Sequence, residues 1–198
     1  DEFHLGVYAQ YLANDFNGIV SRVATLGRDK TMAYLKGLSY DNFSAWTAYR
    51  IGQAYQNLAR ENEALAYFNR ACELAPLDLK FAEKKAVILA KLGQLKAAKA
   101  LYEWVLNEDT FRDEAWCNWA FVMQQLGDTQ KAEEGYLKAL DLNPDYLKAL
   151  ENLSSLYLSL NQLKKALPIV DEMLRVKPEY AQALAVKSWI ENELVQKK

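Results

Sequence analysis

The 198 residues are 51% hydrophobic and 25% charged, a balance that supports a buried core and excludes a disordered chain. Lys and Arg number 24 and Asp and Glu 26, intermixed to a net charge of -2, which excludes the broad positive field that nucleic acid or an anionic lipid surface requires. With eight Gly and four Pro, and Ala, Leu, Glu and Lys abundant, helices are expected rather than strands joined by tight turns.

In residues 1–44, Leu12, Phe16, Ile19, Val23 and Leu26 keep helical spacing and Leu26-Gly27 marks a turn, so this end reads as N-terminal helices with a degenerate hairpin. Asp29 is placed to cap a helix running through Leu38. No apolar run approaches the ~20 residues that a bilayer crossing needs, so no membrane insertion is expected. The start has neither a signal peptide nor an initiating Met, and the chain reads as trimmed. Its compartment leans cytoplasmic, although a periplasmic protein whose leader had been removed would read the same way.

From Ala45 the chain repeats itself every 34 residues, four times without insertion, to Tyr180. The units are 45–78, 79–112, 113–146 and 147–180, followed by a helix in 181–198. Gly52, Ala86, Ala120 and Ser154 share one column of small residues; Tyr55, Leu89, Met123 and Tyr157 share a large one. Ala64, Ala98, Ala132 and Ala166 line up next, then Phe68, Tyr102, Tyr136 and Val170. Small residues let two helix backbones approach, and the large ones fill the space beside them. Leu92-Gly93 and Leu126-Gly127 mark sharp turns inside units, while Pro76, Pro144 and Pro178 close three of them. Unit 79–112 is degenerate: Thr110 stands where Pro would close it and Lys85 replaces an aliphatic residue, so over Asn107 to Asp113 a looser linker or a different crossing angle is expected. Pro168 falls early in a helix, where a local bend at most is expected. In 181–198, Ala183, Val186, Ile190 and Leu194 face the packing side, and Lys187 and Glu191 give the polar outer face of a capping helix, with a truncated next repeat as the alternative.

These columns resemble the tetratricopeptide repeat family, whose pattern runs Trp, Leu-Gly, Tyr, then Ala, Phe, Ala and a closing Pro. The resemblance implies an all-α fold, a right-handed superhelix or α-solenoid of antiparallel helix pairs. It also implies a concave groove that holds a protein or peptide. Trp46, Tyr49 and Gln53 lie on a stripe about 120° from the packing side of their helix. In the family that stripe faces the groove. Shifted by the repeat, it adds Lys80, Glu83, Val87 and Ala90, then Glu114, Cys117, Phe121 and Gln124, then Lys148, Glu151, Ser155 and Leu158. Phe121 and Trp46 are the expected anchors, with Trp46 and Tyr49 packing on the preceding N-terminal helix as the alternative.

A second column, Arg50, Lys84, Asn118 and Asn152, ends in two residues that resemble the asparagine ladder of the O-linked N-acetylglucosamine transferase type. An amide both donates and accepts, so such a row can pair with an extended backbone. The carboxylate clamp of chaperone-binding co-chaperones fits less well. Asn118 and Lys148 match it, but Glu83, Val87 and Asn152 occupy its other positions, and Glu83 would repel a terminal carboxylate. A chaperone C-terminal tail is therefore not the expected partner.

Nothing in the sequence points to catalysis. His4 is the one histidine, which excludes a histidine-based triad or multi-histidine metal site, and no phosphate-binding glycine loop is present. No metal or cofactor is expected. Cys72 and Cys117 form neither a redox nor a metal motif and read as free thiols. The expected function is a non-catalytic interaction scaffold. The alternatives are a structural segment that self-associates through an end or through the convex side near Trp104, and a regulatory domain of a larger protein.

Overall fold

The structure, a computed structural model, describes residues 44–196; the expectations for residues 1–43 lie outside it. The described residues form nine helices and no strand. They are α1 (Ala45–Asn57), α2 (Glu61–Leu74), α3 (Leu79–Lys91), α4 (Leu95–Glu108) and α5 (Asp113–Gln125). After these come α6 (Thr129–Leu142), α7 (Leu147–Ser159), α8 (Leu163–Val176) and α9 (Ala181–Gln196). The chain divides into two compact units, Asp1–Gln94 and Leu95–Lys198, and the division falls between α3 and α4.

Helix ends follow from local chemistry. Ser44 Oγ accepts from the Thr47 amide at 3.2 Å, Asp78 Oδ1 from Lys80 and Phe81, and Asp128 Oδ1 from Lys131, each satisfying amides with no partner inside the helix. The hairpin turns share one geometry. Ala59, Gly93, Gly127 and Asn161 adopt positive φ of 55°, 75°, 86° and 54°. One residue later, the amides of Arg60, Gln94, Asp128 and Gln162 donate back to the carbonyls of Tyr55, Leu89, Met123 and Tyr157 at 2.8–3.0 Å. This left-handed residue followed by a long backward bond closes the last helical turn and reverses the chain.

In the first unit α1, α2 and α3 bury Ala48, Tyr49, Ile51 and Tyr55 with Ala64, Phe68, Ala71, Phe81 and Ile88. Gly52 brings the backbone of α1 against Phe68, whose ring lies 3.0 Å from where a Cβ would stand. In the second unit, α5 and α6 bury Ala115, Ala120 and Met123 with Ala132, Tyr136 and Ala139; α7 and α8 bury Leu150, Leu153 and Leu156 with Ala166, Val170 and Met173. Each of these helices is about 13 residues long, so neighbours supply the stability that an isolated helix lacks.

Two expectations need correction. The linker after α4 is not loose: Asp109 Oδ1 accepts from the Phe111 amide at 3.0 Å, Arg112 pairs with Asp109 at 3.5 Å, and Trp116 Nε1 donates to the Thr110 carbonyl at 2.9 Å. Side-chain bonds there do the work that Pro does elsewhere. Nor does Lys187 form an outer polar face, because it turns back to Asp171 of α8 at 2.7 Å. Pro168 lies within α8, which runs unbroken through it. On α9, Ala183 and Ile190 are fully buried, while Leu184 and Trp189 are each 49% exposed.

Candidate functional site

The expected groove residues divide between the two units. In the first, Trp46 is partly exposed, and its ring packs edge-on against Phe81 at 4.9 Å and Tyr49 at 5.5 Å. Lys80 Nζ stands 5.1 Å from the Trp46 ring centre, a cation over an electron-rich face. Tyr49 is only 1% exposed, so it is not offered to a guest; Trp46, Phe68 and Phe81 enclose it. Its hydroxyl accepts from Gln53 Nε2 at 3.1 Å, and Gln53 Oε1 accepts from Arg50 at 3.2 Å. Lys84 and Val87 are half-buried on α3.

In the second unit, Phe121 of α5 is 41% exposed and Lys148 and Ser155 of α7 are exposed. Cys117 is a correction, being fully buried. Asn152 Nδ2 approaches its sulfur at 3.7 Å, and the Tyr146 hydroxyl is in hydrogen-bonding contact with it. Burial pushes the thiol up to about 11, against the pull of the Lys148 ammonium. Asn118 is nearly buried and its Oδ1 accepts from Lys148 Nζ at 2.8 Å, so the two residues that match a clamp are bonded to each other.

Between α7 and α9 lies a pocket of about 310 Å³. Helix α7 contributes Glu151, Asn152, Ser154, Ser155 and Leu158 to it. Met173 of α8, Tyr180 of the linker, and Gln182 and Val186 of α9 complete the walls. The Tyr180 hydroxyl donates to Glu151 Oε1 at 2.6 Å, which raises the phenol above its ordinary range. The sequence placed Glu151, Asn152, Ser155 and Leu158 on this face but not the half of the pocket supplied by Met173, Tyr180, Gln182 and Val186. A signal was available: Trp189 falls in the repeat column of Phe121 and Ser155 and is half-exposed like Phe121.

A separate polar junction joins three helices of this unit. Glu133 Oε1 of α6 accepts from the Tyr157 hydroxyl of α7 at 2.8 Å and from Lys165 of α8 at 2.9 Å. The Lys165 bond, helped by Tyr157, holds the Glu133 carboxyl below its ordinary range. Among the described residues no cluster of His, Cys, Asp and Glu has the make-up of a metal site, and no helix is long and apolar enough to cross a membrane.

Two family models described as tetratricopeptide repeat match residues 47–76 and 123–190. The chain belongs to the tetratricopeptide repeat family. Human protein O-mannosyl-transferase TMTC3 is 32% identical over 160 residues, covering 78% of this chain and 17% of that protein. The TPR repeat-containing protein MJ1428 of Methanocaldococcus jannaschii is 26% identical over 152 residues, covering 74% of this chain and 26% of its own length. The chain thus spans about a quarter or less of the length of these relatives. Among solved structures, MamA of Desulfovibrio magneticus RS-1 superposes with a TM-score of 0.69 at 21% identity, covering 85% of this chain and 97% of that one. YrrB, described as a TPR protein with an unusual peptide-binding site, superposes at 0.66 with 20% identity, covering 89% and 87%. These likenesses concern the tetratricopeptide fold.

Proposed function

We propose that this tetratricopeptide array is a non-catalytic scaffold that binds an extended peptide or protein segment on the face presented by α5, α7 and α9. The observation that carries the reading is the pocket between α7 and α9, lined by both apolar and polar side chains. Phe121 and Trp189, exposed in one repeat column, supply aromatic anchors two repeats apart. Ser155 stands in the same column between them and is exposed. YrrB, of the same fold, has a peptide-binding site, and the first TPR of Spaghetti was solved with an HSP90 peptide, which supports a peptide as guest. Glu151 argues against the terminal carboxylate of a chaperone tail at this pocket.

Selection from a displayed random-peptide library on the purified protein tests the reading. Enriched peptides should bind about tenfold more weakly to Phe121→Ala and to Ser155→Arg, which fills the face with a long side chain. Equal retention on wild type and Ser155→Arg, or no enrichment at all, would remove this face as the binding surface.

A further inference from the structure

Glu151 is the one charged residue among those that line the pocket. Tyr180 holds its Oε1 at 2.6 Å, while Oε2 has no hydrogen bond or ion pair among the described residues. Nearby cations are engaged elsewhere: Lys148 with Asn118 at 2.8 Å, Lys187 with Asp171 at 2.7 Å, and Lys177 over the Tyr180 ring at 4.8 Å. Beside this carboxylate, Leu158, Met173 and Val186 offer an apolar surface, and the Ser155 hydroxyl is unpaired among the described residues.

We infer that the pocket receives an arginine or lysine side chain of the bound segment, with its cation at Glu151 and its methylenes against Leu158, Met173 and Val186. The inference rests on the peptide-binding reading above. A long basic side chain is the residue type that carries an apolar stem and a cationic tip together. A carboxylate guest would meet Glu151 with repulsion, and a purely apolar one would strip water from Glu151 without replacing it. Arginine should bind more tightly than lysine, because its planar fork can serve Glu151 and the neighbouring Asn152 carbonyl at once.

The test titrates the full chain with the N-acetyl N-methylamides of arginine, lysine, norleucine and glutamate, followed by backbone amide shifts in nitrogen-15 spectra. The arginine and lysine compounds should move the signals of Asn152, Ser155 and Val186 saturably, about tenfold more tightly than norleucine, as one charge-assisted hydrogen bond provides. Glutamate should not bind. Glu151→Gln, with its remaining spectrum native, should lose that preference and keep the norleucine response. Equal affinity for arginine and norleucine, or an arginine response unchanged in Glu151→Gln, overturns the inference. If displayed peptides are still enriched and still lost on Ser155→Arg, that result removes the basic-residue assignment alone and leaves the face as the binding surface.

Discussion

Gly135→Ala is expected to destabilise the protein even though alanine is the better helix former. Gly135 lies midway along α6, where the exchange would ordinarily gain about 1 kcal/mol. Here an added Cβ would stand 2.8 Å from the Ala120 Cβ and 2.9 Å from Trp119 Cε3, inside the 3.4 Å where ordinary contact begins. Ala120 has no rotamer to change, and the Trp119 ring is 9% exposed and packed edge-on to Trp116 at 5.7 Å. Helices α5 and α6 must therefore part by several tenths of an ångström. Overpacking of this kind costs about 1–3 kcal/mol, so the net loss should reach up to ~2 kcal/mol. At about 2–4 °C per kcal/mol for a chain of this size, thermal denaturation followed by circular dichroism should show a clear fall in Tm. Repeat arrays can unfold in parts, so amide exchange in α5 and α6 supplies the local reading. Adding Ala120→Gly removes one of the two colliding groups and should recover part of the loss. An unchanged or raised Tm for Gly135→Ala, or a double variant whose effects simply add, would refute the reasoning.

Other outcomes follow from the turns and polar junctions. Ala59→Gly should stabilise by about 1 kcal/mol, since alanine is held at φ 55° where its turn equivalents include Gly93 and Gly127; an unchanged urea midpoint would count against strain there. Glu133 has a folded pKa below its unfolded value, so its contribution is present above the ordinary carboxylate range and is lost as pH falls through the folded value. The stability gap between wild type and Glu133→Gln, expected to be under ~1 kcal/mol for this half-exposed junction, should be full above the ordinary carboxylate range and narrow as acid protonates the folded carboxyl; a constant gap would deny the Lys165 bond a role. In the native protein, iodoacetamide should label half-buried Cys72 about tenfold faster than buried Cys117, as peptide mass spectrometry would read, and equal rates would contradict the packing.

The hairpins were legible because a helix pair leaves a small residue opposite a large one in every repeat. The first helices begin at Ala45, Leu79, Asp113, Leu147 and Ala181, keeping the 34-residue step of the columns. The site was legible only in part. Counting 100° per residue gives the direction of a side chain from its own helix, but not what another element lays over it. Tyr49 and Cys117 point along the groove stripe yet are covered by Phe81 and by Tyr146 and Asn152. The far wall of the pocket was missed for a related reason: Tyr180 read only as the end of the fourth repeat and Val186 as a packing residue of a capping helix, whereas both line the pocket with Gln182.

Three polar bonds of the second unit join residues 30 apart: Asn143 to Asp113, Lys148 to Asn118, and Arg175 to Asp145. Each acts as a ruler laid between successive hairpins, and it reads true only if no residue is gained or lost in the intervening stretch. A one-residue insertion inside α6 would turn everything downstream by about 100° and set the donors at Asn143 and Lys148 past their acceptors. Variation in length within such an array is therefore tolerated as whole cassettes, so lineages carrying it should lengthen or shorten in jumps while fractional changes are purged.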